Sequence, residues 1–302
     1  ALAAVLAAAP SETEIVLPAQ PAPLYGTMLE PEASTAVAVI LPGSGPTDRD
    51  GNNPLGVSAG TYRLLAEGLA AHRIATVRID KRGIGQSAAA GPVEADLRFT
   101  DYSNDARAWA AEAATRAGRP CAWLIGNSEG ALIALKAVEG DADKVCGLIL
   151  LSGPGRPAGV VVREQLAALP EPMKSQAFAA LSELEAGRTA ADTPPALAAL
   201  FRPSIQPYLI SFLSLDPAAL IAAYDGPVFI GQGTTDIQVS VADAEALAAA
   251  DPQATLKLWD GVNHVLKTAS ADRAANLAAY SNPDLPLAPG VVEDVAEFIQ
   301  AR

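Results

Sequence analysis

Short, continuously apolar runs recur along this chain with helix-forming segments between them, and no other feature limits the possible folds so strongly. Residues 35–41 are a run of Val, Ile and Ala that stops at Pro42-Gly43, and residues 74–79 stop at Asp80. Runs at 121–125, 148–151, 228–230 and 255–259 repeat the pattern. A strand apolar at every position buries both of its faces, as a parallel strand sandwiched between helices must. Residues 62–71, 128–138, 241–249 and 291–299 read as those helices. Thr100 is placed to cap another, whose Tyr102, Ala106, Trp109 and Ala113 fall on one face at helical spacing. The alternation predicts the α/β class, a mainly parallel sheet covered on both sides. Segments 14–17 and 24–29 can add antiparallel edge strands.

Residues 156–224 break the alternation. They are helical in composition and punctuated by Pro170, Pro172, Pro194, Pro195, Pro203, Pro207 and Pro217. This predicts a helical insertion into a core domain made of residues 1–155 and 225–302. Ligands of such folds lie at the carboxyl ends of the strands, so an insertion there would roof the site.

Half of the residues are apolar and 18% are charged, enough for a sizeable core. The net charge of −13 argues against nucleic acid and against anionic membrane surfaces as partners. Residues 1–9 are small and apolar and precede Pro10-Ser11-Glu12, like the tail of a secretory signal. That suggests a secreted or periplasmic protein; an alanine-rich stretch without a targeting role is the alternative, and a cytoplasmic location stays open with it. No other run approaches the roughly 20 residues of a membrane span. Cys121 and Cys146 form no Cys-x-x-Cys pair, so neither a zinc site nor a redox motif is indicated. They would be neighbours if their strands pair, but the expectation is two buried free thiols. With only His72 and His264 present, imidazole chemistry must use one of them, and no multi-histidine metal site is expected.

Gly126-Asn127-Ser128-Glu129-Gly130 matches G-x-S-x-G. The pattern alone is weak, but here it follows a strand-like run and opens a helix. A tight turn in that setting lifts the serine hydroxyl clear of the sheet, and the helix N-terminus offers N–H groups to a developing oxyanion. An ordinary helix-capping serine is the bland alternative. A nucleophilic serine needs a base. His72 ends a helix just before a strand, on the amino side of the sheet. His264 follows the run 255–259, on the carboxyl side with Ser128, and is the expected base. Asp236 is the one carboxylate in the loop after 228–230 and is expected to orient the imidazole, with Asp260 as runner-up. Besides the Glu129 N–H, a second oxyanion donor is expected from the loop after 35–41: Ser44 first, Gly43 second. Asp48 and Asp50 do not fit a calcium loop and are read as braces. Phe201, Tyr208 and Phe212 of the insertion could line an apolar acyl pocket, or else form the insertion's own core. No metal or organic cofactor is required; the expected ligand is a small-molecule ester, and the oligomeric state is left open.

Taken together, these segments make the sequence resemble the α/β-hydrolase superfamily, in particular a bacterial branch of esterases and serine-aminopeptidase-like hydrolases. The resemblance runs from about residue 35 to the C-terminus. It rests on Gly43-Ser44-Gly45-Pro46-Thr47-Asp48-Arg49-Asp50, on Asp80-Lys81-Arg82-Gly83-Ile84-Gly85-Gln86-Ser87 and on the Ser128 turn. It also includes Phe201-Arg202-Pro203-Ser204-Ile205-Gln206-Pro207-Tyr208-Leu209, the run from Gln232 to Val239, and Asn263-His264-Val265-Leu266-Lys267. It implies an eight-stranded sheet, a helical cap and carboxylic ester hydrolysis, with the family's triad carried over to Ser128, Asp236 and His264. Many relatives have His where this chain has Asn127, and His-Gly where it has Pro42-Gly43. Two other functions compete. An aminopeptidase would need carboxylates such as Glu183 or Glu185 to hold a substrate ammonium. A non-catalytic binding protein would have no use for an intact triad.

Overall fold

The computed structural model describes residues 9–191 and 193–302. Ordered along the chain, β1 (Ser11–Leu17), β2 (Leu24–Glu30) and β3 (Ala36–Leu41) come first, then the short pair β4 (Asn52–Asn53) and β5 (Val57–Ser58). Next are α1 (Thr61–Ala71), β6 (Ile74–Ile79), α2 (Phe99–Arg116), β7 (Ala122–Asn127), α3 (Glu129–Ala137) and β8 (Val145–Leu151). Helices α4 (Ala158–Leu166), α5 (Met173–Glu185), α6 (Ala198–Phe201), α7 (Gln206–Leu213) and α8 (Pro217–Ala222) fill the interval before β9 (Val228–Gly233). The chain closes with α9 (Val241–Ala250), β10 (Thr255–Trp259), α10 (Arg273–Ala278) and α11 (Val291–Gln300).

One eight-stranded sheet runs in the order β1-β2-β6-β3-β7-β8-β9-β10. β1 and β2 are antiparallel to each other, β2 is antiparallel to β6, and the remaining pairs are parallel. The pleat sorts each apolar run between two cores. Val37, Val39 and Leu41 of β3 join the layer under α2 and α3, while Ala38 and Ile40 join the layer under α1 and α11. Leu148 and Leu150 of β8 go to the first layer, and Ile149 and Leu151 to the second. A small third core, built from α5, α6 and their neighbours, is separate from both. After β3 the chain crosses to β6 on one side and then to β7 on the other. The strand order therefore reverses beside β3, where ligands of such sheets bind. No helix among the described residues is long and apolar enough to cross a membrane.

Several expectations change in detail. Thr100 does not cap α2: the helix begins at Phe99, and its entry is held by Arg98 N–H donating to Asp101 Oδ2 at 2.8 Å. β9 extends through Gly231-Gln232-Gly233, where the glycines suggest a loop. They are glycines because a Cβ on Gly231 would sit 2.3 Å from the Trp259 ring, and one on Gly233 2.0 Å from Val262 O. The cysteines are not free thiols. Cys121 and Cys146 are disulfide-bonded, with Cα atoms 5.2 Å apart. The register between β7 and β8 jumps there, Ala122 facing Val145 but Trp123 facing Gly147. Cys146 is thus the extra residue of a bulge, and it meets the residue just before β7. The signal-like stretch lies, apart from residue 9, outside the described residues.

Candidate active site

Ser128 occupies the single residue between β7 and α3, with φ 57° and ψ −122°. A non-glycine residue at positive φ is strained and persists only where its surroundings enforce it. The enforcement is visible in the two flanking glycines. A Cβ on Gly126 would stand 2.1 Å from Gly130 O, and one on Gly130 2.2 Å from Leu41 O. Backbone thus packs on backbone where β3, β7 and α3 converge, and the serine is turned outward, half-buried, at the carboxyl end of the sheet.

A row of hydrogen bonds carries the sheet beyond its strand ends. Ser128 N–H donates to Leu151 O, Ser152 N–H to Gly231 O and Thr234 N–H to Trp259 O, each at 2.9 Å. These bonds fix the Ser128 turn, the loop after β9 and the loop after β10 to one rim. Along it, His264 Nδ1 lies 2.8 Å from Asp236 Oδ2. The side chain of Asp236 is completely buried and that of His264 is 8% exposed. Asp236 Oδ1 accepts the N–H groups of Gln238 at 2.8 Å and Val239 at 3.0 Å, and Oδ2 also accepts from Gln232 Nε2 at 3.3 Å. Burial opposes ionisation of Asp236, but the His264 charge, the bond from its ring and the two backbone donors outweigh it and hold the carboxyl below its ordinary value. An ionised carboxylate only accepts, so in the neutral imidazole the hydrogen sits on Nδ1 and the lone pair on Nε2. Neither Ser128 Oγ nor His264 Nε2 hydrogen-bonds to another protein group among the described residues.

The loop after β3 lies against this turn: a Cβ on Gly43 would be 3.4 Å from Ser128 Cβ. Its two candidate donors differ. Gly43 N–H is engaged by the Tyr62 hydroxyl at 2.9 Å, and that hydroxyl donates to Asn127 Oδ1 at 3.0 Å. Burial pushes the Tyr62 hydroxyl well above its ordinary range, so it keeps its hydrogen. Gly43 is thereby removed as a free donor. The Ser44 N–H has no protein acceptor among the described residues. Neither does the N–H of Glu129, which as the first residue of α3 has no intrahelical acceptor.

A family profile described as serine aminopeptidase, S33, matches residues 55–191, which include the Ser128 turn but neither Asp236 nor His264. Among solved structures, Est1E of Butyrivibrio proteoclasticus with ferulic acid bound superposes with a TM-score of 0.62 at 18% identity, over 95% of this chain and 98% of that one. The esterase domain of a Rhodothermus marinus protein gives 0.58 at 17% identity, over 96% and 98%. An esterase of Pyrococcus furiosus gives 0.59 at 15%, over 96% and 92%. The chain has the α/β-hydrolase fold. No curated protein matches it.

The remaining candidates take varied places in this fold. Phe201 does not face the rim: it is 3% exposed and packs among Leu181, Leu184 and Leu197 in the small third core. Tyr208 reaches from α7 to the rim, where its buried hydroxyl donates to Glu129 Oε1. Phe212 stacks on Tyr208 with centroids 6.5 Å apart and packs against Phe99 at 5.8 Å. Glu183 is paired with Arg188 and Glu185 with Arg163. Asp260 accepts from Thr234 Oγ1 at 3.1 Å. His72 forms the C-terminal cap of α1. Asp48 Oδ1 accepts the N–H groups of Asp50 and Asn52, and Asp50 pairs with Arg78, so both acids brace their loop. Sequence reasoning missed Tyr62, Lys81 and the Tyr208–Glu129 contact. Tyr62 had a faint signal, an apolar-face tyrosine on a helix beside a glycine loop; Lys81 stands in a motif of the resemblance that attached no role to it, and nothing marked the Tyr208–Glu129 contact.

Proposed function

We propose that the chain is a serine hydrolase that cleaves carboxylic esters through an acyl-enzyme on Ser128. The observation that carries this reading is the 2.8 Å contact of buried Asp236 with His264 Nδ1, on the rim that also holds the strained Ser128 turn. His264 Nε2 takes the Ser128 Oγ proton as Oγ bonds to the acyl carbon, and the carbonyl electron pair moves onto oxygen. The N–H groups of Ser44 and Glu129 receive that oxyanion; one such donor is worth about 3 kcal/mol. When the C–O bond to the leaving alcohol breaks, the imidazolium returns its proton to the alkoxide. Water then attacks the acyl-enzyme with His264 again as base, which releases the acid and restores the Ser128 hydroxyl. Hydroxyl and imidazole need not be in contact without substrate, since such bonds commonly tighten in the reactive complex.

Residues 156–224 are assigned to a cap over this site. In support, their helices leave the sheet at the carboxyl end of β8, and Tyr208 meets the residue next to Ser128. Tyr208 and Phe212 are proposed to border the acyl group. The aminopeptidase reading has the family description in its favour, but Glu183 and Glu185 are already neutralised by arginines.

The test uses p-nitrophenyl butyrate, methyl ferulate and an aminoacyl-nitroanilide side by side, with a fluorophosphonate probe. The expected result is ester turnover and labelling that Ser128→Ala abolishes while the fold is kept. Undiminished turnover in that variant removes the nucleophile assignment, and preference for the anilide shifts the reading to a peptidase.

A further inference from the structure

Lys81 is a charged side chain that the hydrolytic scheme does not use, yet it is buried beside the site. It follows β6 in the Asp80-Lys81-Arg82 turn and is 4% exposed. Its Nζ donates to Gly43 O at 2.6 Å, lies 3.7 Å from Glu129 Oε1, and stands 5.0 Å from the centroid of the Tyr102 ring. Removing an ammonium from water costs several kcal/mol unless its partners are good, so packing alone does not account for a lysine here. We propose that Lys81 is a positioning residue for the oxyanion site, holding the Gly43–Ser44 peptide so that its N–H points at the reacting carbonyl. The proposal rests on the serine-hydrolase reading above.

The argument begins with the peptide unit. A trans peptide is planar, so Gly43 O and the Ser44 N–H point in opposite directions. Fixing the oxygen on one side fixes the donor on the other. Gly43 lacks a Cβ, so the peptide that follows it would otherwise rotate at little cost. The peptide before it is pinned separately by the bond from Gly43 N–H to Tyr62. An ammonium on the carbonyl oxygen also polarises the amide and makes its N–H a stronger donor. The counter-charge completes the arrangement: Glu129, whose carboxylate faces Lys81, carries the other donor on its own backbone. A single ion pair is thereby tied to both proposed oxyanion donors, and Tyr208 links it to α7.

The test is Lys81→Met in the full chain, a side chain of similar length without charge or donor. The expected result is a kcat for p-nitrophenyl butyrate lowered about 100-fold with KM held within about threefold, the signature of an interaction made in the transition state. Affinity for butylboronic acid, whose tetrahedral adduct with Ser128 presents an oxygen to the same donors, should fall by a similar factor, while affinity for butyrate stays unchanged. If Lys81→Met fails to fold because Glu129 is left unpaired, the double variant Lys81→Met/Glu129→Gln removes that orphan charge and answers the same question. A folded variant with kcat within about twofold of wild type overturns the proposal, and so does a rise in KM alone. A wild-type protein that neither labels with fluorophosphonate nor turns over an ester refutes the serine reading, and this proposal falls with it. Wild-type labelling beside undiminished turnover in the variant refutes the role of Lys81 alone.

Discussion

Replacing Asp236 by Asn tests the site where it is most tightly determined. The carboxylate is fully buried and accepts four hydrogen bonds: backbone N–H from Gln238 and Val239 on Oδ1, His264 Nδ1 and Gln232 Nε2 on Oδ2. An amide of the same shape has one accepting end. The two backbone donors cannot move away, so they claim the Asn oxygen, and the NH2 group is left facing His264 and Gln232. Two donors cannot bond, and His264 must move its hydrogen to Nε2 to offer Nδ1 as acceptor. The base then presents N–H where a lone pair is needed. In a triad, this wrong tautomer lowers kcat about 10⁴-fold, roughly 5.5 kcal/mol of transition-state stabilisation. The assay is the pre-steady-state acylation rate with p-nitrophenyl butyrate, and Asp260→Asn serves as control because Asp260 bonds Thr234 and not the imidazole. Stability gives a second readout. The Asp236 carboxyl titrates below its ordinary value of 3.8 in the folded protein. Its ionisation therefore stabilises the fold fully above about pH 4, and that contribution is lost as pH falls through the lower folded value. Urea unfolding should show the gap between wild type and Asp236→Asn narrowing only below about pH 4. If the variant acylates within about tenfold of wild type, Asp236 does not set the His264 tautomer and the reasoning is refuted.

Two further outcomes follow from packing. Gly130→Ala drives a methyl to 2.2 Å from Leu41 O and 2.9 Å from Pro42 O; the backbone cannot yield, so urea unfolding should show a loss of about 3 kcal/mol or more. Gly118→Ala has open space around it at φ +61° and should cost only about 1 kcal/mol; equal losses would mean that β3 and α3 do not meet as described. Removing the bridge across 25 residues with Cys121→Ala/Cys146→Ala should lower stability by about 3.5 kcal/mol in the loop-closure treatment. A wild-type protein with two titratable thiols in denaturant would contradict the bridge itself.

The fold was legible because its central strands, such as β3 and β8, are almost continuously apolar, a pattern with few solutions other than a covered parallel sheet. Periodicity located β6 and β10 to the residue. It failed where a residue's reason lies in another part of the chain. Gly231 and Gly233 look like the start of a loop, but they are strand residues crowded by Trp259 and Val262. Cys121 and Cys146 look like separate thiols until the bulge in β8 brings them together. Thr100 has the chemistry of a cap, yet the helix starts one residue earlier and Asp101 does the work.

For the candidate site, the same boundary separates groups proposed to act from groups that hold them. Ser128, His264 and Asp236 each follow a strand in the sequence, so their side of the sheet could be inferred before any coordinates. The groups that hold the site follow no such rule. Tyr62 reaches Gly43 and Asn127 from the middle of a helix. Lys81 sits in a motif of the resemblance but meets Gly43 and Glu129 only because β6 and β7 flank β3 on opposite sides. Glu129 lies inside the G-x-S-x-G pattern at a position the pattern leaves free, and its partners come from α7 and from the turn after β6. Strand order determines those meetings, and strand order is a long-range property that local spacing does not encode. The groups proposed to act are therefore written in short motifs, whereas the geometry that turns two backbone N–H groups into the proposed oxyanion site belongs to the assembled sheet.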